Sequence, residues 1–593
     1  MDYGLLLSLV QTCWQQNLRH VVLSPGSRVA PLALGFIRHP FIETSTRSDE
    51  RAAAYTALGR ALQALSDYHK GPNTEALPLV GLACTSGTAA LNYAPAVAEA
   101  FFQQIPLVVF TADRPPEWIG QADNQAIRQD NLYGPHVKGF FLMPTDTLNP
   151  DAKWQAERML NEALLLAATP PFGPVHLNVP FREPFYPAPG QAWSYPPKAR
   201  LHRRPATQTI LAKPAWAELM NEWEDSERKL IVAGQNFYQP SLSQALQHLQ
   251  EDYKIPVMGD ITANLSTLIG PLIQHQDIFL SQQNPDLQPD LLITFGQALL
   301  SKALKGFLRQ ARPRQHWHVQ AAAPIPDPLQ SLTHWIPMEP AVFFSQLYQD
   351  LDFKNLLQEG DDENAPFFKV WQEANREAAK FLQRYSFADD DFSELRLVGA
   401  ILEKLPPGSL LHLANSMPVR YANLWGLKPA NPSSTPTEVF ANRGTSGIDG
   451  CLSTAVGAAL AAPSRLVVLL TGDLAFFYDR NGLWHNENCP NLRIILLNNH
   501  GGNIFRMIDG PAHQPELEVY FETQQKLQAE NTARDFDLEY HKAQSWPEMQ
   551  AILATFFEPS ARPKILELET DRYANAQQWK AFKQAYRQTF GFQ

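Results

Sequence analysis

Along the first third of the chain, short runs of β-branched and other apolar residues alternate with longer segments whose apolar residues follow a helical spacing. Short apolar runs bounded by turn residues predict strands, and apolar positions three and four residues apart predict helices. This alternation is typical of βαβ units, which form a parallel sheet covered by helices on both faces. The predicted strands of this first block are residues 20–24, 41–46, 79–85, 105–113 and 173–180.

The same alternation returns twice further along the chain. The second block has predicted strands at residues 229–234, 254–260, 289–296 and 316–322. The third block has predicted strands at residues 409–416, 436–444, 465–473, 492–499 and 564–570. We therefore predict an α/β protein of three consecutive, doubly wound parallel-sheet domains.

Two stretches without such periodicity separate the blocks. Residues 179–208 are dense in proline and aromatic residues, which predicts a semi-rigid linker lying along a surface. Residues 358–366 form an acidic stretch that contains glycine and proline, and it marks the end of the second block. The predicted divisions are a first domain at 1–185, the linker at 186–208, a middle domain at 209–360 and a last domain at 361–593.

The length and the net charge of the chain narrow the range of possible functions. A chain of 593 residues with 45% hydrophobic residues is long enough for three or four domains with cores of their own. Its 49 Lys and Arg against 60 Asp and Glu give a net charge of -11, which excludes a diffuse basic surface for nucleic acid. An anionic ligand must therefore be bound by a local cluster of basic side chains.

Cysteine usage and the N-terminus indicate the compartment. The four cysteines have no paired spacing, which favours a reducing compartment over a disulfide framework or a zinc site. The N-terminus lacks the basic and apolar regions of a signal peptide, and no run reaches the roughly 18 apolar residues of a membrane span. We expect a cytoplasmic protein without a membrane span.

The sharpest chemical motif lies in the third block. Asp473 ends one predicted strand and Asn499 ends the next, 26 residues later, which is about the length of one βαβ crossover. Open α/β sheets bind ligands at the carboxyl ends of their strands. A carboxylate, an amide oxygen and the backbone carbonyl of Gly501 would suit a hard cation such as Mg²⁺, with a diphosphate supplying other oxygens.

A second set of candidates is basic. These residues each follow a strand-like run, the position that feeds a site at the edge of a sheet. Guanidinium groups bind carboxylates through two hydrogen bonds, and five cations at equivalent loop ends of an acidic protein indicate anionic ligands. The five are Arg28, Arg114, Lys302, Arg420 and Arg443.

The spacing of Asp473 and Asn499, together with the three blocks, resembles the thiamine-diphosphate enzymes. Other strings resemble one family among them, the 2-succinyl-5-enolpyruvyl-6-hydroxy-3-cyclohexene-1-carboxylate (SEPHCHC) synthases, known as MenD. The resemblance runs from about residue 20 to about residue 510. The strings are SPGSR (24–28), TADRPPE (111–117), DNQAIRQDNLYG (123–134), NSMPVR (415–420), NRGTSGIDG (442–450) and NNHGGNIF (498–505).

The resemblance implies thiamine diphosphate and Mg²⁺, with Mn²⁺ as an alternative, the metal being held by Asp473, Asn499 and Gly501. It makes Glu50 the catalytic residue, which bonds a ring nitrogen of the aminopyrimidine and promotes the tautomer that removes the C2 proton. The small residues of 447–462 would let the backbone approach the cofactor closely. The implied cofactor-binding residues are Glu50, Ser446, Ile448, Gly472, Asp473, Leu474, Asn499 and Gly501.

The implied activity is that of a transferase of menaquinone biosynthesis. It decarboxylates 2-oxoglutarate and adds the resulting carbanion in 1,4 fashion to isochorismate, releasing CO₂. Both substrates are dicarboxylates, which accounts for the basic set. The implied substrate contacts are Ser27, Arg28, Arg114, Gln125, Lys302, Arg420 and Arg443, with Ile504 and Phe505 as an apolar wall. The family also implies a homodimer or a dimer of dimers, in which Glu50 acts across the subunit interface.

The chain departs from the family pattern at a few positions that affect fine geometry rather than reaction class. Thr88 and Ala89 stand where Pro-Gly is usual, and Ala414 stands where glycine is common. Tyr421 follows Arg420 where an acid is common, and Ala303 follows Lys302 where a second basic residue occurs.

Three other functions compete with this interpretation. Another thiamine-dependent 2-oxo acid enzyme, such as an acetohydroxyacid synthase or a decarboxylase, is the nearest. The excess of arginines and the lack of a His-His pair disfavour it. A flavin or nicotinamide oxidoreductase would need a G-x-G-x-x-G after the first strand, which is missing. A non-catalytic scaffold would have lost Glu50 or Asp473, and both are present.

Overall fold

The computed structural model describes residues 3–71, 76–146, 148–188, 193–267, 272–280, 284–355, 365–428 and 434–590. They form two compact units. Unit 1 comprises Met1–Ala206, Asn442–Ser464 and Ala475–Leu492, and unit 2 comprises Thr207–Ala441, Arg465–Leu474 and Arg493–Gln593. The third block of the sequence is thus shared between the units. Most of the acidic stretch predicted at 358–366 lies outside the described residues.

The first block forms a six-stranded parallel sheet with the order β2-β1-β3-β4-β6-β5. Its central strands β3 and β4 are buried along their whole length, as expected for strands covered by helices on both faces. Its helices and strands are α1 (Tyr3–Gln15), β1 (Leu18–Leu23), α2 (Ala30–Ile37), β2 (Glu43–Thr46), α3 (Glu50–Lys70), β3 (Leu79–Cys84), α4 (Thr88–Asn92), α5 (Ala94–Phe102), β4 (Leu107–Asp113), β5 (Phe140–Leu142), α6 (Pro150–Ala167) and β6 (Val175–Pro180).

The middle block forms a five-stranded parallel sheet with the order β11-β10-β9-β7-β8. Trp317 and Phe344 are among its largest fully buried side chains. Its helices and strands are α7 (Lys213–Glu224), β7 (Lys229–Ala233), α8 (Pro240–Asp252), β8 (Val257–Gly259), α9 (Gln276–Phe279), β9 (Leu291–Phe295), α10 (Lys302–Ala311), β10 (Gln315–Val319), β11 (His334–Ile336) and α11 (Pro340–Asn355).

The third block forms a six-stranded sheet with the order β13-β12-β14-β15-β17-β16. The prediction of three doubly wound parallel-sheet domains is therefore confirmed. Its helices and strands are α12 (Ala365–Arg384), α13 (Glu394–Lys404), β12 (Leu410–Leu413), α14 (Met417–Trp425), β13 (Glu438–Phe440), α15 (Cys451–Ala461), β14 (Val467–Gly472), α16 (Asp473–Asp479), β15 (Leu492–Asn498), α17 (Ile504–Met507), α18 (Glu530–Asp535), β16 (Glu539–Ala543), α19 (Trp546–Phe556), β17 (Lys564–Glu569) and α20 (Arg572–Thr589).

Each described sheet has a point near its first strand where the strand order reverses, and such a point normally opens a ligand crevice. It lies between β1 and β3 in the first sheet and between β12 and β14 in the third. In the middle sheet it lies between β7 and β9, where the two loops bond each other. The Gln297 amide donates to Gln235 O at 2.8 Å, and the Gln235 amide donates to Ala298 O at 3.2 Å. The crevice of the middle sheet is therefore closed by its own loops.

Helices α3 and α15 cross closely inside unit 1. A Cβ atom at Gly59 would lie 2.0 Å from the Thr454 carbonyl oxygen, and one at Gly457 would lie 2.1 Å from the Thr56 carbonyl oxygen. Both distances are far below van der Waals contact, so glycine is required at both positions. For Gly457, the small residue predicted to admit the cofactor instead admits a neighbouring helix.

The proline-rich segment lies against the first block. The Tyr195 hydroxyl donates to Gly35 O at 2.6 Å, and the Ala199 amide donates to Gln15 Oε1 at 3.0 Å. Asn161 bonds the same segment twice, to Arg200 O and from the His202 amide, each at 2.9 Å. Residues 195–202 of the segment are thus tied to helices α1, α2 and α6.

The four cysteines, Cys13, Cys84, Cys451 and Cys489, are all buried, and none forms a disulfide. No described helix combines the length and the apolar character that a membrane crossing needs.

Candidate active site

Residues of the third block meet at the carboxyl end of β14 in unit 2. Asp473 is the first residue of α16 and is almost completely buried. Its Oδ1 accepts from the Leu474 amide at 2.8 Å, its Oδ2 accepts from Gln525 Nε2 at 2.7 Å, and the Gly501 amide also donates to it. Burial raises the pKa of Asp473 to about 6. The contacts with Gly501 and Gln525 join Asp473 to the loop that follows β15.

The side-chain amide of Asn499, in that loop, is hydrogen-bonded to the described residues through its nitrogen but not through its oxygen. Its Nδ2 donates to Glu394 Oε1 at 2.6 Å, whereas its Oδ1 is buried and has no hydrogen-bond partner among the described residues. A buried carbonyl oxygen without a donor is costly unless a ligand satisfies it. The Asp473 carboxylate, the Asn499 Oδ1 and the Gly501 carbonyl are all hard oxygen donors of the kind that Mg²⁺ prefers. The residues present therefore fit the predicted metal.

The predicted apolar wall lies on the short helix α17, in unit 2 with the cation-site residues. Ile504 packs against the buried core of unit 2, and the Phe505 ring lies 5.8 Å from the ring of Phe521. Arg506 anchors the helix, since its Nε and Nη2 donate to the two carboxylate oxygens of buried Glu522, each at 2.7 Å. Both wall residues remain half-buried, so part of each side chain is accessible.

The two predicted cations of unit 2 follow β12 and β9. Arg420 lies on α14, is half-buried and donates through Nη1 to Ser416 O at 2.5 Å. Lys302 is the exposed first residue of α10, and Ser301 caps that helix by accepting from the Leu304 amide at 3.0 Å. Tyr421, one of the residues that depart from the family pattern, is fully buried, donates to Met507 Sδ at 3.6 Å and lies beside the Glu394 carboxylate.

In unit 1, the predicted arginines of the first sheet are neighbours. Ser27 is exposed after β1, while Arg28 is buried, donates to Phe181 O at 3.1 Å and stacks 4.6 Å above the Phe185 ring. Burial and the nearby Arg114 guanidinium lower the pKa of Arg28. No carboxylate in the described part of the chain lies within ion-pair distance of Arg28.

Arg114 follows β4 and is tied to a loop that carries Gln125. Its guanidinium pairs with Asp123 and donates through Nε to Asn124 O at 2.8 Å. Gln125 is exposed and has a left-handed backbone, with φ of 51°. This loop thus brings Arg114 and Gln125 close together, as the predicted substrate contacts require.

The turn after β3 presents two hydroxyl groups that the sequence motif alone did not single out. Thr85 Oγ1 and Ser86 Oγ are buried and have no hydrogen-bond partner among the described residues. Gly87 has φ of +89°, a conformation that glycine adopts without strain, and its amide donates to Gln129 Oε1 at 2.9 Å. Gln129 in turn donates to Asn178 Oδ1 at 2.8 Å, which fixes the turn to β6.

Glu50 is the first residue of α3. The preceding residue, Asp49, caps the helix by accepting from the Ala52 amide at 3.0 Å. Glu50 is half-buried and lies near Cys84 at the end of β3. Its carboxylate has no hydrogen-bond or ion-pair partner in the described ranges, so it can bond a ligand.

The loop that carries the remaining predicted residues is fixed by Glu99, which sequence reasoning missed. Glu99 lies on α5, is fully buried and accepts from the Gly444 amide at 2.7 Å and the Thr445 amide at 2.6 Å. On either side of these amides, Arg443 is half-buried and Ser446 is exposed with φ of 63°. Ile448 is half-buried in the same loop.

The predicted site residues therefore form two groups. Unit 1 holds Ser27, Arg28, Glu50, Arg114, Gln125, Arg443, Ser446 and Ile448, and unit 2 holds Lys302, Arg420, Gly472, Asp473, Leu474, Asn499, Gly501, Ile504 and Phe505. Both groups lie on loops and helix starts at the carboxyl ends of strands.

Comparison with known families defines the class. Three segments match thiamine pyrophosphate enzyme domains: the N-terminal TPP binding domain at residues 7–132, the middle domain at 186–413 and the C-terminal TPP binding domain at 423–568. The fold and these matches define a thiamine-diphosphate-dependent enzyme, and the predicted cofactor is confirmed.

The relatives narrow the class further. The chain is 41% identical to the SEPHCHC synthase of Cytophaga hutchinsonii over 99% of both chains. It is 38% identical to the synthase of that name from Porphyromonas gingivalis, over 96% of this chain and 94% of that one. It is 35% identical to that of Flavobacterium johnsoniae, over 96% and 97%. The chain belongs to the SEPHCHC synthase family, and the resemblance identified from the motifs is confirmed.

Proposed function

We propose that the protein catalyses the SEPHCHC synthase reaction, in which 2-oxoglutarate is decarboxylated and the remaining carbon skeleton is added to isochorismate. The observation that carries this proposal is the pair Arg28 and Arg114. Two neighbouring guanidinium groups, one of them buried without a carboxylate in ion-pair distance, favour an anionic ligand. A substrate with two carboxylates meets that requirement, and pyruvate, with one, leaves much of the basic set unused.

Thiamine diphosphate, when bound, supplies the electron sink that lets a 2-oxo acid lose CO₂. Asp473, Asn499 and Gly501 would hold Mg²⁺ through their oxygens, and Gly472, Leu474 and Ser446 would line the diphosphate. Ile448 would support the cofactor from its apolar side. Glu50 would hold a proton at a ring nitrogen of the aminopyrimidine, for which its position at a helix start and its lack of a partner are suitable.

The remaining residues would bind and enclose the substrates. Arg28, Arg114, Lys302, Arg420 and Arg443 would bind carboxylates, and Ser27 and Gln125 would add hydrogen bonds. Ile504 and Phe505 would shield the reacting carbon from water, since both are half-buried, Ile504 against the core and Phe505 against Phe521.

The proposal is tested by following the absorbance of isochorismate. The protein is mixed with thiamine diphosphate, Mg²⁺, 2-oxoglutarate and isochorismate, and each component is omitted in turn. Loss of absorbance that requires all four supports the proposal. Turnover of pyruvate without isochorismate would instead select an acetohydroxyacid synthase or a decarboxylase, which the relatives do not favour.

Replacing Arg28 by Lys should test the anion site. Lysine keeps the charge but loses the forked guanidinium that binds a carboxylate through two bonds. Since hydrogen bonds to charged groups contribute about 1.5–3 kcal/mol, we expect kcat/KM to fall by at least about tenfold. Arg19→Lys, at an exposed position of β1, is the matched control. Unchanged kcat/KM for both substrates in Arg28→Lys would contradict the assignment.

We further propose a homodimer, or a dimer of dimers, in which Glu50 of one copy serves the cofactor held by Asp473 of another. We also propose that the chain divides into domains at 1–185, 209–360 and 361–593, with the linker at 186–208 between the first two. Mixing inactive Glu50→Gln and Asp473→Ala subunits under conditions of subunit exchange should then restore activity. In a randomly mixed symmetric dimer, half of the molecules carry one intact site, so about a quarter of wild-type activity is expected. If the mixture stays inactive although the subunits exchange, both groups act within one chain.

A further inference from the structure

The Asn499 side chain has two ends of nearly equal shape but opposite chemistry. Its amide oxygen can bind a cation, whereas its NH₂ group can only donate hydrogen bonds. A half-turn of the amide would exchange the two and present NH₂ to the cation. The proposed metal site therefore needs a group that fixes the orientation of this amide.

We infer that Glu394 is that group, and that its carboxylate sets the direction in which Asn499 Oδ1 points. Glu394 Oε1 accepts from Asn499 Nδ2 at 2.6 Å, and Asn499 Oδ1 lies buried without a partner on the opposite end of the amide. A carboxylate only accepts, so a reversed amide would set two oxygens against each other. This inference rests on the proposed cation site and adds a positioning residue to it.

Glu394 is itself fixed on several sides. It is the first residue of α13, only 1% of its surface is exposed, and its amide donates to Asn575 Oδ1 at 2.9 Å. The Thr570 hydroxyl donates to Oε1 at 3.4 Å, and the Tyr421 hydroxyl, which donates to Met507 Sδ at 3.6 Å, lies beside the carboxylate. A carboxylate this deeply buried is stable only with such donors. Its position is therefore set by the fold and does not depend on a ligand.

The same network extends to the loop that carries Asn499. The Thr570 amide donates to Asn498 O at 2.9 Å, and Asn575 Nδ2 donates to the Thr570 hydroxyl at 3.0 Å. Backbone and side chain of the loop are thus anchored to the same end of β17. Where family members commonly have an acid, this chain places the neutral side chain of Tyr421 beside Glu394.

The test measures Mg²⁺-dependent binding of thiamine diphosphate by calorimetry, so that it does not depend on turnover. Groups that orient a metal ligand typically contribute about 10–100-fold to metal affinity. We therefore expect Glu394→Ala to weaken Mg²⁺ binding by about that factor. Glu394→Gln should retain most of the affinity, because its amide oxygen can still accept from Asn499 Nδ2. Wild-type affinity in Glu394→Ala would overturn the inference.

A reciprocal exchange separates orientation from packing. Asn499→Asp alone sets two carboxylates against each other and should bind Mg²⁺ more weakly than the wild type. Combining it with Glu394→Gln exchanges amide and carboxylate, so the Gln NH₂ can hold one Asp oxygen while the other faces the cation. The double variant should bind more tightly than Asn499→Asp. A double variant that is no better than Asn499→Asp would also overturn the inference, and this comparison holds even if Glu394→Ala does not fold.

Asp473→Ala distinguishes a failure of the proposed cation site from a failure of the proposed role of Glu394. If Asp473→Ala loses Mg²⁺-dependent binding while Glu394→Ala keeps it, only the role of Glu394 fails. If Asp473→Ala binds like the wild type, the proposed cation site fails, and the role of Glu394 fails with it. Unfolding of each variant without Mg²⁺ and cofactor reports the folding contribution separately.

Discussion

Replacing Glu50 by Gln should abolish most turnover and leave cofactor binding nearly unchanged. A positioned group that transfers a proton in the reaction contributes about 10²–10⁴-fold to the rate, and we expect kcat to fall by that factor. Gln has the shape of Glu and can still form a hydrogen bond, but it cannot share a proton with the ring nitrogen. The helix start stays intact, because Asp49 and not Glu50 provides its cap.

The measurement is kcat from isochorismate consumption, together with the affinity for thiamine diphosphate from calorimetry. Glu43→Gln is the matched control, since Glu43 lies on the adjacent strand β2 with 84% of its side chain exposed. It makes the same change of charge at the surface and should keep wild-type turnover. If Glu50→Gln retains wild-type kcat, Glu50 is not the proton-holding group.

The sequence pattern predicted all the strands inside the three described sheets and three of their six edge strands, β2, β8 and β13, but it missed the other three. The missed strands are Phe140–Leu142, His334–Ile336 and Glu539–Ala543, and each is the last strand of its sheet. Each of these three strands is short or largely polar and has only one buried residue, so it does not form the continuous buried apolar run of a central strand. Apolar periodicity alone therefore does not single out these three strands.

In the candidate site, residues marked by their local sequence could be predicted, whereas residues whose role depends on contacts distant in the chain could not. Asp473 and Asn499 could be predicted, because polar residues directly after apolar strands mark the carboxyl ends of a parallel sheet. Glu99 and Glu394 could not. Glu99 bonds amides more than 340 residues away, and Glu394 bonds a side chain 105 residues away. A buried carboxylate on an amphipathic helix looks like any surface glutamate until the chain is folded.

At Gly457, the predicted close approach of the backbone occurs, but its partner is a helix and not the cofactor. Small residues in 447–462 predicted close backbone approach, and close approach occurs, but at Gly457 the neighbour is α3. Small residues allow the close approach of any partner, and the sequence alone does not say which partner packs there. The crossing places the helix that begins at Glu50 against the helix that follows the loop of Ser446 and Ile448, all within unit 1.

Replacing Asp473 by Ala should remove most Mg²⁺-dependent binding of thiamine diphosphate and, with it, activity. Asp473 contributes the only carboxylate of the proposed oxygen set, whose other members are the neutral Asn499 amide and the Gly501 carbonyl. A ligand that binds only the folded state at 100 times its Kd stabilises that state by about 2.7 kcal/mol. In the wild type, Mg²⁺ and cofactor together should therefore raise the unfolding midpoint, and in Asp473→Ala this rise should be nearly absent.

Two further variants make this result specific. Asp473→Asn keeps the side-chain volume and an oxygen to accept from the Leu474 amide, but it removes the charge and the acceptor of Gln525 Nε2, so it should lose binding with only a small change in packing. Asp535→Ala removes an exposed carboxylate at the end of α18 and should keep the full rise in the midpoint. If Asp473→Asn shows the wild-type rise, the charge of Asp473 does not hold the metal. A rise lost in both Asp473 variants and kept in Asp535→Ala would instead assign the loss to the cation site, because the unliganded midpoints report any change in packing.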